Sequence, residues 1–114
     1  MKSIRGAIAV VDNNESSIIS SAKSLILSVM EENDITEEDL VFALFTVTQD
    51  LDQAFPAKAF RELGMVSVAA IDTVAPNIKD DLDGCIRILL TINNNKNDIK
   101  HVYLNDAKTL RPDR

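Results

Sequence analysis

The chain has no tryptophan, one tyrosine, one histidine and one cysteine in 114 residues. Each scarcity removes a class of chemistry. A single thiol, Cys85, cannot close an internal disulfide, so the composition fits a reducing compartment. Its apolar neighbours favour a buried, inert thiol over a nucleophile. A lone histidine, His101, reads first as structural or surface. With three glycines there is no Gly-rich phosphate loop, and the patterns GxSxG, HExxH and CxxC are absent as well. Positive charge is also short: 12 Lys and Arg face 18 Asp and Glu, a net charge of -6. That balance argues against a general nucleic-acid binder but permits a local basic pocket. No apolar run approaches the roughly 18 residues of a membrane span. Met1 to Val11 contains Arg5 and lacks the build of a signal peptide. The expectation is a cytoplasmic protein with neither nucleic-acid nor membrane partners.

What is present is a hydrophobic fraction of 46%, enough for one compact core in a single domain over 1–114. Ile4 to Val11 is apolar and partly β-branched, which predicts a strand, and Asp12, Asn13 and Asn14 supply turn and cap chemistry. From Glu15 to about Glu32 the period is helical. Ile18, Ala22, Leu25 and Val29 recur at helical spacing, and Ile19, Ile26 and Met30 widen the stripe. Thr36 to Asp39 resembles a helix-start box before a buried strand, Leu40 to Thr48. Pro56 suits a first helical turn, Ala57 to Leu63 the helix, and Gly64 its end. Val66 to Thr73, Ile86 to Ile92 and Val102 to Leu104 read as strands. Asn77 to Gly84 reads as a polar loop, Asn93 to Asn97 as a turn, and Asp106 to Leu110 as a helical turn. The sum is an α+β domain, a mixed sheet covered on one face by one long helix. Its other face then needs a cover, and a further copy of the chain is the simplest one.

The chemistry left to such a chain is that of arginine. Of five arginines, Arg5 and Arg87 fall inside apolar strands. One reading makes them edge or ion-paired residues. The other makes them planar, permanently charged forks aimed at the carboxylates of a small dianion.

Two stretches resemble chorismate mutase of the AroH type: Ala54 to Leu63 (AFPAKAFREL), and Cys85 to Leu89 (CIRIL) followed by His101 to Asp113 (HVYLNDAKTLRPD). The opening Ile4 to Ala7 (IRGA) fits as well, and order and spacing agree over nearly the whole chain. The resemblance implies a homotrimeric pseudo-α/β-barrel with sites at the subunit interfaces, chorismate as substrate, no cofactor and no metal, and a place in aromatic amino-acid biosynthesis. It implies as site residues Arg5, Phe55, Lys58, Arg61, Arg87, Tyr103, Leu110 and Arg111, with Ile71, Asp72 and Ala75 from the segment between. The rearrangement is pericyclic and needs no nucleophile or proton shuttle. Arg87 is then expected to donate to the ether oxygen, and Arg5 and Tyr103 to grip a carboxylate. Arg61 closes the site, and Phe55 and Leu110 exclude water.

One departure stands out. Family members carry a glutamate twelve residues before the strand arginine, where this chain has Ala75. Asp72, three residues earlier, either takes over that carboxylate's work as a catalytic residue beside Arg87 and Arg5, or is a turn or cap residue. Two other readings follow: a weakened homologue that binds diacids without turning them over, and a RidA-like trimeric small-molecule protein, whose family lacks the HVYL and LRPD context.

Overall fold

A computed structural model describes residues 1–95 and 98–105. The helix read from Glu15 is the longest element. α1 spans Glu15–Glu32, and the Asn14 side chain accepts the Ser17 N–H at 2.7 Å, satisfying an otherwise orphan donor of the first turn. Its buried stripe is Ile18, Ile19, Ala22, Leu25, Ile26, Val29 and Met30. The far end is closed by Asn33, a polar residue only 3% exposed. Asn33 donates to the carbonyls of Val29 (2.8 Å) and Lys100 (2.9 Å) and accepts the Lys100 N–H at 2.7 Å. One satisfied amide thus ends the helix and anchors the approach to the last strand.

Five strands make one mixed sheet: β1 (Lys2–Ile8), β2 (Leu40–Val47), β3 (Ala69–Val74), β4 (Ile86–Ile92) and β5 (Val102–Leu104), in the order β3-β2-β4-β1-β5. β4 runs antiparallel to both β1 and β2, while β3 is parallel to β2 and β5 to β1. Side chains alternate between faces along each strand. Ile4, Ile8, Ala43, Phe45, Ile86, Ile88, Leu90 and Ile92 point to the helices and form the core with α1. Gly6 lies on the same side under α1. A Cβ there would stand 3.0–3.1 Å from Val29, Ile88 and Leu25, so the helix rests on bare backbone. A short α2 (Lys58–Glu62) completes this layer, with the Phe60 ring 5.9 Å from that of Phe45. α2 ends as its sequence suggests. Gly64 takes φ +81°, and the Gly64 and Met65 N–H groups return to Arg61 O (3.0 Å) and Phe60 O (2.8 Å).

Several boundaries differ from expectation, most by one residue; three have a clear cause. β1 stops at Ile8 because its ladder with β4 ends at the Ile8–Ile86 pair and Val10 turns left-handed (φ 59°). The Val11 N–H then bonds Gly84 O at 2.9 Å. β3 starts at Ala69, since Val66 and Ser67 still belong to the turn after Gly64. Thr36 to Asp39 forms a single 3-10 turn over Glu37–Asp39, with the Asp39 carboxylate accepting the Thr36 N–H at 2.9 Å. The helical turn expected at Asp106 to Leu110 lies outside the described residues, as do the last two residues expected in the Asn93 to Asn97 turn.

Candidate active site

The face of the sheet away from α1 carries the other half of each strand's alternation. Register sets the neighbours: Ala7 of β1 is opposite Arg87 of β4 on one side and Tyr103 of β5 on the other, and Arg87 is opposite Thr46 of β2. In the next row Arg5 is opposite Leu89, which is opposite Leu44. A small residue between a tyrosine and an arginine leaves a hollow. It is a cleft of about 490 Å³ lined by Arg5, Ala7, Leu44, Thr46, Asp81, Arg87, Leu89 and Tyr103, among others. Two strand arginines read from the sequence therefore meet in one cavity.

The Tyr103 hydroxyl is buried and has no hydrogen-bond partner among the described residues. A buried hydroxyl left this way is costly unless something else supplies an acceptor. Arg87 Nη2 is 3.2 Å from Asp81 Oδ2, a pair roughly two-thirds buried. Arg5 forms no ion pair among the described residues, and its backbone N–H donates to His101 Nδ1 at 2.9 Å. His101 thus pins β1 to the segment entering β5, one position from Arg5's own side chain. Burial and then the Arg5 charge lower the His101 pKa, so the ring stays neutral with Nδ1 as acceptor. Cys85 is fully buried beside Ala7 and Ala9, and burial pushes its thiol up, away from thiolate chemistry. Among the described residues no group of three His, Cys, Asp or Glu is placed to hold a metal.

Other expected site residues lie elsewhere on the chain. Phe55, Lys58 and Asp72 line a second cleft of about 510 Å³, with Glu15, Val47 and Thr73. Phe55 is 74% exposed there, an aromatic ring held at a rim. Asp72 turns to the helix layer. Its Oδ1 accepts the Ala57 N–H at 2.9 Å, which ties β3 to the entry of α2. Partial burial raises its pKa, and the Ala57 N–H opposes that. Arg61 is exposed on the last turn of α2 and lines neither cleft. Ile71 sits on the open sheet face, in the row of Leu44, and is 67% exposed. Ala75 is buried, its N–H bonded to Val47 O at 2.8 Å. Leu110 and Arg111 lie outside the described residues. Sequence reasoning missed Asp81, Thr46, Leu44 and Leu89. The two leucines and Thr46 share the alternation of Arg87 and were accessible from strand parity. Asp81, on a loop, was not.

The comparisons decide the family. The model of chorismate mutase type I matches residues 1–114, the whole length. The chain belongs to the chorismate mutase type I family. It is 37% identical to Chorismate mutase AroH of Thermus thermophilus, an alignment covering 99% of this chain and 95% of that protein. Against Chorismate mutase AroH of Bacillus subtilis (strain 168) it is again 37% identical, over 99% and 91%. The solved chorismate mutase of Clostridium thermocellum superposes with a TM-score of 0.92 at 40% identity, covering 96% of this chain and 99% of the other. Membership makes the chain an isomerase, and its α+β fold with one main helix matches that of the solved Clostridium thermocellum enzyme.

Proposed function

We propose that the chain rearranges chorismate to prephenate in the arginine cleft on the open face of the sheet, and that three copies complete each other's sites. The observation that carries this is the convergence on one cavity of Arg5, Arg87 and a Tyr103 hydroxyl that has no hydrogen-bond partner among the described residues. The substrate is a small dicarboxylate. Two guanidiniums and a phenol match its carboxylates and ether oxygen without any group for covalent chemistry. Binding the compact, reactive conformer removes part of the entropic barrier. As the ether C–O bond breaks, negative charge grows on its oxygen, and Arg87 is the donor aimed at that charge. Arg5 and Tyr103 hold a carboxylate.

Two features support the trimer. Phe42 and Ile71 stand exposed on the open face, with Leu44 and Leu89 partly so, and an apolar sheet face of this kind favours a cover. The second feature is the separation of Phe55 and Lys58 from Arg5 and Arg87 within one protomer. Two half-sites on different elements make sense when a neighbour brings one to the other. In this arrangement Phe55, Lys58 and Arg61 of one copy close the arginine cleft of the next, with Leu110 and Arg111 at its mouth. The location is the cytoplasm and the role is aromatic amino-acid biosynthesis. The described helices include none long and apolar enough to cross a membrane, and the single thiol is buried and reduced.

Purified protein should consume chorismate, followed by loss of its ultraviolet absorbance, and accumulate prephenate. Binding without turnover selects the weakened homologue instead. For the shared site, Arg87→Ala and Arg61→Ala proteins, each inactive, are unfolded together and refolded as mixtures. Recovery of activity in the mixture supports halves from different copies, and no recovery contradicts it.

A further inference from the structure

A loop supplies the carboxylate that meets the arginines of the cleft. Asp81 lies between β3 and β4, and both of its oxygens are in use. Oδ1 accepts the Leu82 N–H at 2.9 Å, and Oδ2 faces Arg87 Nη2 at 3.2 Å. The loop around it is tied down as well: the Asp81 N–H donates to Ile78 O at 3.2 Å, and the Gly84 N–H to Asp50 Oδ2 at 2.9 Å. A backbone bond thus fixes the carboxylate on one side, leaving the other side to hold the guanidinium. Asp81 also borders a smaller hollow of about 190 Å³ that contains Ala75 and Pro76. It therefore stands between Ala75 and Arg87, while Asp72 is turned toward Ala57.

We propose that Asp81 is the positioning residue for Arg87, and that it shifts the cleft's binding energy from the bound substrate to the transition state. A guanidinium has five N–H donors in a rigid fork. Fixing Nη2 on Asp81 orients the remaining donors toward the cleft without spending side-chain freedom when the reaction begins. The carboxylate also offsets one of the two positive charges of Arg5 and Arg87. A resting dianion is then held less tightly, while an aimed donor waits for the charge that develops on the ether oxygen. Only the second interaction raises turnover. With about a third of each side chain still exposed, the pair is partly screened and contributes modestly to folding, so its loss should show in kinetics before it shows in melting.

The inference rests on Arg87 being the donor to the breaking bond, and the test separates the two. Asp81→Asn keeps the shape and the Leu82 acceptor but removes the charge. It should lower kcat at least tenfold with KM for chorismate unchanged or reduced, and with Tm within a few degrees of the parent. Asp81→Glu, which keeps the charge, should recover part of kcat. Unchanged or higher kcat in Asp81→Asn overturns the proposal, and so does a raised KM. If Asp81→Asn melts well below the parent, the glutamate variant decides: a kcat no better than that of the asparagine overturns the role. Arg87→Ala is run beside them. If it is inactive while Asp81→Asn is normal, Asp81 alone loses its role; if it keeps full turnover, the site reading fails and Asp81 falls with it.

Discussion

β1 and β4 present two unlike faces from one stretch of chain. Toward α1 they show Ile4, Ile8, Ile86, Ile88, Leu90 and Ile92, all buried, with Gly6 letting the helix come close. Away from it they show Arg5, Ala7, Arg87 and Leu89 around a cleft. The period of two separates stability from chemistry at single-residue resolution. The helix-side residues are held by burial and packing, and the cleft-side residues by register and, at Arg87, by the Asp81 carboxylate. Changes on the first face should therefore act on folding, and changes on the second on turnover.

The sharpest way to break that division is from the core side. Phe45→Ala removes a fully buried ring packed against Phe60 and should cost about 3–5 kcal/mol of stability, read by denaturant unfolding. Whatever remains folded should keep its turnover per active site. A kcat loss without a stability loss would mean the two faces are not independent. Next comes Arg87→Ala, expected to lose at least a hundredfold in kcat, about 3 kcal/mol of transition-state stabilisation, with the melting curve unchanged.

The Asn33 amide tests a polar part of the structural side. Asn33→Ala frees the N–H and carbonyl of Lys100 and should cost about 2 kcal/mol, with the loss of protection appearing in hydrogen exchange at β5. Tyr103→Phe should raise KM about fivefold, near 1 kcal/mol, while leaving Tm equal or higher, because the hydroxyl has no hydrogen-bond partner among the described residues. A fall in Tm would show that the hydroxyl serves folding.

The smallest effect is on pH. His101 has a folded pKa below its unfolded value, so the unfolded chain binds the extra proton first. Its contribution to stability is fully present above the unfolded pKa, about 6.5, and is lost as pH falls through the lower folded value. A modest drop in Tm below that point should vanish in His101→Gln. A slope unchanged by the substitution would remove His101 as its source.

Local rules made much of the fold legible, and tertiary rules hid the rest. α1 was readable to both ends because its stripe is long and Asn14 is a strong cap. β4 and β5 were readable from their β-branched and aromatic runs. The end of β1 was not, since nothing local marks Val10 for a left-handed turn. The strand order β3-β2-β4-β1-β5 was equally hidden, because pairing partners are chosen by the whole sheet. In the site, Arg5 and Arg87 stood out as charged residues in apolar strands, Tyr103 was marked only by the family resemblance, and the three share a cleft. Asp81 lies on an acidic loop where every aspartate looks alike in sequence. Only the fold distinguishes the one that reaches an arginine.

The most direct measurement is the turnover of chorismate by Arg87→Ala at saturating substrate, with the mass of the assembly determined on the same sample. We expect a particle of parental mass and a kcat at most one hundredth of the parent's. A variant of parental mass that turns over chorismate at the parental rate would contradict the assignment of the chemistry to the open face of the sheet.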